Sequence, residues 1–354
     1  MAYSTITKSS DHFNTKLYTG NGSTNAITGV GHQPDWVWIK RRDASGNHGL
    51  YDAVRGVLKR LQSDQTSSEA TTADSLTAFG TDGFTMGSNS SYNGSSYTYA
   101  SWNWKANGTG AANTDGNINS TVSVNSTAGF SIVKWTGNNS GSATVGHGLA
   151  AIPDIVIVKN LEQNTSWGVK HIDMSSGHMC NLNGTDASSD RNGSTNGGLG
   201  NLTSTTTFGF IAGSGGTPEV NGSGNNMIAY CFKSIKGFSK IGSYKGNANT
   251  NGSFIYTGFK PAFILLKDFT SSSSWLMFDN KRDIDNVASH RLYANGNDAE
   301  DSDTSSAIDF LSNGFKCRSS DNSTNKNNAT FLYMAFAEEP LVANVGASIP
   351  ATAR

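Results

Sequence analysis

The stretch that decides the fold is PDWVWIK, residues 34–40. A strand with one face in water alternates apolar and polar residues, because its successive side chains point to opposite sides. Here Trp36 and Trp38 make one side apolar, and Val37 and Ile39 make the other side apolar as well. The pattern predicts a strand buried on both faces. Three covers for the outer face stay open at this point: a long loop, a sister domain or another subunit.

The same stretch occurs three times. Residues 153–159 read PDIVIVK and residues 261–267 read PAFILLK. In each copy a proline precedes a lysine by six positions, and the prolines are spaced by 119 and then 108 residues. The prolines and lysines are Pro34 and Lys40, Pro153 and Lys159, and Pro261 and Lys267. This recurrence predicts an internal repeat.

Further landmarks recur in the same order in the three copies. An aromatic-x-Gly-Asn motif comes before each proline, a His or Trp follows eight residues after each lysine, and a Gly-Phe pair and an aromatic run close each copy. The residues eight after the lysines are His48, Trp167 and Trp275. Short runs of β-branched and aromatic residues between Gly, Asn and Ser clusters are typical of strands and turns. We therefore predict an all-β protein of three tandem β-sandwich domains, jelly-roll or lectin-like, related by internal repeat.

The landmarks also predict domain limits. The first domain covers residues 1–108 and the second covers residues 128–236. The third covers residues 237–340, and residues 341–354 form a C-terminal arm. Residues 109–127 are rich in Gly, Asn and Thr, and this composition favours a linker.

One segment has helical rather than strand-like spacing. Leu50, Val54, either Val57 or Leu58, and Leu61 keep the spacing of one helix face, and Gly56 interrupts it. A short helix and a non-helical segment are equally compatible with this pattern.

Composition excludes several classes of partner and of site. Charged residues are 15% of the chain and the net charge is −1, which argues against a nucleic-acid partner. The longest apolar runs are too short to cross a membrane, so no membrane insertion is expected, and the N-terminus lacks a secretory signal. Cys180, Cys231 and Cys317 are isolated, which argues against a disulfide framework or a zinc site and favours synthesis in a reducing cytoplasm.

Motifs for catalysis and for cofactor binding do not occur in the sequence. There is no nucleophile elbow, dinucleotide fingerprint, phosphate-binding loop or zinc-protease motif, so we predict no catalytic, cofactor or metal residues and no cofactor. Asp52 and Asp279 recur in two copies, each three residues before an arginine, Arg55 or Arg282. This spacing favours structural salt bridges. A glycosidase-type pair of carboxylates from distant strands is the alternative.

Two other groups of polar residues have side chains that could bind a metal ion. The loop NGNDAEDSD, residues 295–303, offers carboxylates to a hard cation, but its spacing favours a solvated acidic loop. These carboxylates belong to Asp298, Glu300, Asp301 and Asp303. His171 and His178 are predicted to be surface residues rather than a pair of metal ligands.

Ligand-binding residues are not identified by the sequence. Four tryptophans have the residue type that stacks on sugars, but their recurrence in the repeat favours the core: Trp102, Trp104, Trp167 and Trp275. The loops 183–200 and 319–329, rich in Asn, Ser and Gly, are either recognition loops or plain connections.

The motifs together resemble a known group of proteins. YTGNGSTNAITGVGHQPDWVWIKRRD (18–43), AGFSIVKWTGN (128–138), GFSKIGSYKGN (237–247) and YMAFAEEP (333–340) resemble the repeat-bearing structural proteins of marine tailed bacteriophages such as cyanophages. The resemblance covers nearly the whole chain. It implies a virion protein of the tail fibre, spike or other tail-associated kind, with no established active site to carry over.

The expected function is therefore that of a non-enzymatic bacteriophage virion structural protein that contributes to host attachment. The expected partners are further copies of the chain in a homotrimer, other virion proteins, and a glycan or protein of the host surface. The protein would be synthesised in the host cytoplasm and would act in the virion. Two alternatives stay open: a capsid-decorating or head-projecting protein, and a polysaccharide-binding or depolymerising module.

Overall fold

The computed structural model describes residues 4–215 and 218–339, and its regular structure is almost entirely antiparallel β-sheet. This confirms the all-β prediction. The helical elements of the described residues are single turns, which are the 3-10 turns Ser9–Asp11 and Thr304–Ser306 and the α-turns α1 (Ser90–Asn93) and α2 (Asn322–Asn325). Below, segment 1 denotes residues 13–104, segment 2 residues 130–232 and segment 3 residues 239–337.

Segment 1 contains a four-stranded sheet of order β1-β9-β3-β4, a three-stranded sheet of order β2-β8-β7, and the two-stranded ribbon β5-β6. The strands are β1 (Phe13–Thr19), β2 (Asn25–Thr28), β3 (Trp36–Arg41), β4 (Gly49–Asp52), β5 (Lys59–Arg60), β6 (Ala70–Thr71), β7 (Leu76–Gly80), β8 (Gly83–Met86) and β9 (Thr98–Trp104). The two larger sheets face each other across a core that includes Val37, Ile39 and Phe84. This arrangement is sandwich-like.

Segment 2 and the two strands that precede it, β10 and β11, form an eight-stranded sheet of order β10-β11-β12-β20-β14-β15-β16-β17, and segment 2 also has a small sheet of order β13-β19-β18. The strands are β10 (Ala111–Asn113), β11 (Ser120–Asn125), β12 (Phe130–Thr136), β13 (Thr144–Gly146), β14 (Ile155–Asn160), β15 (Gly168–His171), β16 (His178–Asn181), β17 (Ser189–Asp190), β18 (Gly198–Leu199), β19 (Thr207–Ile211) and β20 (Asn226–Phe232).

Segment 3 has a six-stranded sheet of order β21-β29-β23-β24-β25-β26 and a small sheet of order β22-β28-β27. The strands are β21 (Ser239–Lys245), β22 (Phe254–Tyr256), β23 (Pro261–Asp268), β24 (Leu276–Asp279), β25 (His290–Tyr293), β26 (Asp301–Ser302), β27 (Ile308–Leu311), β28 (Gly314–Cys317) and β29 (Thr330–Ala337).

The three segments share one strand order. The runs β1-β9-β3-β4, β12-β20-β14-β15 and β21-β29-β23-β24 follow the same path through the sheet, and the three small sheets also correspond. The register corresponds as well, because Trp36 lies opposite Asp52, Ile155 opposite His171 and Phe263 opposite Asp279. Residues can therefore be compared between segments position by position. The predicted domain limits stay a prediction.

The predicted linker over residues 109–127 is wrong in part, because it contains two strands. Residues 111–113 and 120–125 form strands β10 and β11, which extend the sheet of segment 2. Val122 is buried in the core of that segment, and Val124 packs against it. The alternating valines are a strand signal that the polar composition around them concealed. The predicted C-terminal arm, residues 341–354, lies outside the described residues.

The helical spacing from Leu50 to Leu61 does not produce a helix. Leu50 lies in β4 and bridges Leu61 across an antiparallel pair, and the chain turns between them. Gly56 at φ +89° and Leu58 at φ +64° adopt left-handed backbone conformations that a helix does not contain. Pairing of β4 with β3 outweighs the local spacing, since tertiary contacts commonly override weak helical preference.

The outer face of the central strand is covered by the sister segments. Trp36 and Trp38 lie in a central core shared by all three segments, whereas Val37 and Ile39 lie in the core of segment 1 alone. Segments 2 and 3 repeat this division. The residues in the shared central core are Ile155, Ile157, Phe263 and Leu265, and those in the core of a single segment are Val156 and Val158 in segment 2 and Ile264 and Leu266 in segment 3. The Trp36 and Tyr230 rings stack at 4.2 Å between centroids. The three main sheets therefore pack around one common core.

Candidate functional site

The lysine that ends each central strand is buried and joins two segments. Each ammonium group donates a hydrogen bond to a backbone carbonyl of another segment. The pairs are Lys40 Nζ to Asn297 O at 3.3 Å, Lys159 Nζ to Thr66 O at 3.0 Å and Lys267 Nζ to Thr185 O at 2.8 Å. Burial lowers the pKa of Lys159 to about 7 and the pKa values of Lys40 and Lys267 to about 8. The recurring lysine is thus a structural link.

The residue eight positions after each lysine forms a second link. Its ring nitrogen donates to a backbone carbonyl of a neighbouring segment. The pairs are His48 Nε2 to Tyr293 O at 2.9 Å, Trp167 Nε1 to Gln62 O at 2.8 Å and Trp275 Nε1 to Asn181 O at 3.0 Å. His48 Nδ1 accepts from Trp38 Nε1 at 2.7 Å, so the ring proton lies on Nε2. Burial lowers the pKa of His48 to about 3 and keeps the ring neutral.

Both predicted aspartate–arginine salt bridges are confirmed. Arg55 pairs with Asp52, and Arg282 Nε lies 2.6 Å from Asp279 Oδ2, with all four side chains almost fully buried. Each aspartate also accepts a hydrogen bond from another segment, from Tyr230 Oη at 2.7 Å or from Trp102 Nε1 at 3.1 Å. Each arginine also meets a glutamate, Glu69 or Glu300, at 3.1 Å. These carboxylates are therefore occupied in the joints and lie away from solvent.

The joint between segments 2 and 3 lacks this network of hydrogen bonds and ion pairs. His171 occupies the position of Asp52, and Met174 that of Arg55. Met334 stands where Trp102 or Tyr230 would donate, so the joint is mainly apolar. His171 is fully buried, and its Nε2 has no hydrogen-bond partner among the described residues. The predicted surface position of His171 is wrong because the repeat places it in a joint, and burial lowers its pKa to about 4. His178 is half-buried.

The three joints close a ring. The lysine and ring-nitrogen links of segment 2 reach segment 1, and those of segment 3 reach segment 2. Those of segment 1 reach segment 3. Each segment thus contacts both others in the same sense, as in a trimer with threefold symmetry, but within one chain.

The aromatic candidates for sugar stacking lie in the core, as the sequence favoured. Their exposure is 2% or less, for Trp102, Trp104, Trp167 and Trp275. They are inaccessible to a glycan in this fold.

The acidic loop is largely paired with arginines. Glu300 lies 2.7 Å from Arg42 Nη2 and also pairs with Arg282, which ties the loop to the joint between segments 1 and 3. Within residues 4–215 and 218–339, no group of three or more His, Cys, Asp or Glu side chains is arranged to hold a metal ion. The predicted solvated acidic loop is therefore correct only in part, because Glu300 is paired with arginines.

Two open, polar clefts lie at equivalent places in segments 1 and 3. The segment-1 cleft has a volume of about 430 Å³ and the segment-3 cleft about 700 Å³. Arg60 and Arg291 lie at matching positions, each next to a leucine that pairs with the fourth strand. Ser91 and Ser323 come from the matching single helical turns α1 and α2. The predicted loop 319–329 thus contributes to one of the clefts.

The two clefts carry opposite charge. The segment-1 cleft is lined by Arg41 and Arg60 and by no acidic residue. In the segment-3 cleft Arg291 pairs with Asp301 at 2.9 Å and with Asp303 at 2.7 Å, and the further acids Asp298 and Asp321 line the wall.

Sequence reasoning did not identify Arg60 or Arg291, although a signal was present. The triplets Lys-Arg-Leu at 59–61 and His-Arg-Leu at 290–292 occupy matching places in copies 1 and 3. The helical interpretation of the first triplet concealed the match.

Residues 8–340 match a family described as a domain of unknown function, DUF7483. The chain belongs to this family. The match runs through all three segments as a single unit, in agreement with the closed ring. No curated protein and no solved structure shows significant similarity to the chain. Within the described residues, no helix has the length and apolar character needed to cross a membrane.

Proposed function

We propose that this member of the DUF7483 family is a non-enzymatic bacteriophage virion structural protein, a tail fibre or spike-type component that contributes to host-surface attachment. The observation that carries the proposal is the use of the recurring polar side chains. Lysine, histidine, tryptophan and aspartate at repeated positions all hold segments together. Because these recurring polar groups bind one segment to another, they favour a rigid arrangement of the three segments.

Rigidity and low surface charge suit a particle component. The ring fixes three sheets around one core, and loops on such a scaffold are held in defined places. A net charge of −1 limits nonspecific ionic adhesion. Many copies on one virion would turn weak individual contacts into tight attachment through avidity.

Assembly with other copies and with other virion proteins is part of the proposal. The apolar central strands that suggested a homotrimer are covered within the chain, so an assembly contact requires another surface. Segment 3 offers exposed apolar side chains, with Phe254 at 48% and Tyr256 at 59% on one face of β22. Exposed apolar side chains of this size often mark interaction sites.

The experiment is to label particles with antibody raised against the purified chain and to view them by electron microscopy. We expect gold particles at the tail, and expect the purified chain to reduce adsorption of the phage to its host. Label on the head would favour the capsid-decorating alternative. Absence of the chain from purified particles would overturn the proposal.

A polysaccharide-depolymerising module is a second candidate because of the acids in the segment-3 cleft. Asp298, Asp301 and Asp303 line an open space of about 700 Å³, and glycosidases use a pair of carboxylates beside the scissile bond. Incubation with host polysaccharide tests this candidate. Chain shortening that is lost on Asp301→Asn would favour the enzyme, and unchanged chain length would favour the structural role.

A further inference from the structure

We propose that the segment-1 cleft binds a carboxylate-bearing saccharide, such as a uronic acid unit of a surface polysaccharide. The inference rests on the proposed attachment function for the source of the ligand, but the chemistry of the cleft is argued from its own residues.

The segment-1 cleft carries a positive charge that favours an anionic ligand. No ion pair of the described residues includes Arg60, and its Nε is buried without a hydrogen-bond partner. Its guanidinium lies beside the Tyr92 hydroxyl, which supplies no negative charge at neutral pH. Arg291 at the matching place is neutralised by two aspartates. The segment-1 cleft therefore retains a cation that its counterpart has paired.

The geometry of arginine suits a carboxylate. The guanidinium presents several N–H donors in one plane and binds a carboxylate through two parallel hydrogen bonds. Arg41, the other arginine of the cleft, pairs with Asp43 at 2.6 Å and stacks on the Tyr97 ring at 3.5 Å. Arg60 is thus the group that can take up the carboxylate, because Arg41 is already paired with Asp43.

The rest of the lining suits a sugar. It consists of small polar side chains and two tyrosines: Ser45, Asn47, Gln62, Ser90, Ser91, Tyr92 and Tyr97. Hydroxyl and amide groups match the hydroxyls of a pyranose, and the exposed Tyr97 ring offers an apolar edge. The volume of about 430 Å³ lies within the range of small-molecule sites and accommodates one or two sugar units.

The cleft is held in place before any ligand binds. Gly46 N donates to Asn297 O at 2.8 Å, which fixes one wall against segment 3. Tyr92 Oη donates to His48 O at 3.1 Å, which fixes the floor. A preorganised cleft loses less conformational entropy on binding.

Calorimetry with the whole chain tests the inference, using an oligomer of glucuronic acid as the probe. A glucose oligomer of equal length and inorganic sulfate serve as comparison ligands. We expect the glucuronic acid oligomer to bind and the glucose oligomer not to bind. Arg60→Gln should weaken binding about 10- to 100-fold, since a hydrogen bond to a charged group is lost. Arg291→Gln removes the same charge from the matching place in segment 3 and should leave the affinity unchanged.

Three results would overturn the inference: no binding of the glucuronic acid oligomer, equal binding of the glucose oligomer, or equal loss in the two arginine variants. Sulfate binding as tight as that of the oligomer would overturn the saccharide assignment. Arg60→Lys separates folding from recognition, because it keeps the charge and should retain part of the affinity. Antibody labelling of particles is independent of these titrations, so either proposal can fail alone.

Discussion

The indole Nε1 of Trp102 donates a hydrogen bond of 3.1 Å to the carboxylate of Asp279, and thereby joins the last strand of segment 1 to the fourth strand of segment 3. The same carboxylate receives the Arg282 guanidinium at 2.6 Å. One buried acid therefore closes a turn within its own segment and a joint with another. Substitution of Asp279 should therefore lower the stability of the three segments together.

Asp279→Asn should lower the free energy of unfolding by about 3–5 kcal/mol, because it breaks the buried ion pair with Arg282 Nε and leaves only Glu300 to balance the guanidinium. Urea denaturation followed by circular dichroism measures the change. Asp74→Asn, the same substitution at an exposed site, should change stability by about 0.5 kcal/mol or less. Equal effects of the two substitutions would contradict a buried, paired role for Asp279.

The sequence predicted this pairing because both partners lie three residues apart. It also predicted that the central strand is buried on both faces. The partners across the joints could not be predicted, since Lys40, Lys159 and Lys267 donate to backbone carbonyls, which every residue type carries. A carbonyl acceptor has no side-chain signature.

The clefts were hidden for a related reason. Arg60 lies in a two-residue strand within a stretch that has helical spacing, and only the register of the sheets aligns it with Arg291. The difference in charge between the clefts depends on ion pairs with Asp301 and Asp303. Those pairs follow from strand pairing across β25 and β26, which local sequence does not determine.

Lys159 should make stability rise with pH above neutrality. Burial lowers its folded-state pKa from 10.5 to about 7. Below pH 7 both states are protonated and the folded state carries the full desolvation cost. Above pH 7 the unfolded state binds a proton that the folded state has released, so the free energy of unfolding rises by at most about 1.4 kcal/mol per pH unit. Denaturation between pH 7 and 8.5 measures this slope.

Lys159→Met removes the titrating group and should reduce the slope, whatever its effect on stability at one pH. The window ends at pH 8.5 because buried cysteines and tyrosines begin to titrate in the unfolded state above it. Lys240→Met, at an exposed lysine, should leave the slope unchanged. Lys40 and Lys267, with pKa values of about 8, keep part of the slope in this window. A slope in Lys159→Met as steep as that of the natural chain would refute the assignment.

His48 should make the joint between segments 1 and 3 sensitive to acid. Burial lowers its folded-state pKa to about 3, below the ordinary value of 6.5. Between these values the unfolded state binds the extra proton, so stability present above pH 6.5 is lost as the pH falls. Protonation of Nδ1 also removes the acceptor for Trp38 Nε1.

Denaturation at pH 6.5 and pH 5 measures the acid effect of His48. His32 and His171 have lowered pKa values of about 4 and contribute in the same direction, so the test is a difference between proteins. His48→Gln should lose less stability on acidification than the natural chain, by up to about 1.4 kcal/mol per pH unit. His178→Gln, at a half-buried site, is the matched control for removal of a histidine. An unchanged response in His48→Gln would argue against a buried neutral ring.

The three segments should unfold together. The Phe263 ring of segment 3 packs against the Trp102 and Trp104 rings of segment 1 at 5.7 and 6.0 Å between centroids. Because the segments share this core, no segment can keep it intact when another unfolds. A single urea transition should therefore be seen by both tryptophan fluorescence and circular dichroism. A chain that ends at residue 236 should lack that cooperative transition, because loss of segment 3 exposes these rings to water. Separate transitions in the full chain, or cooperative unfolding of the shortened one, would show that the segments are independent domains and that the central core contributes little to their stability.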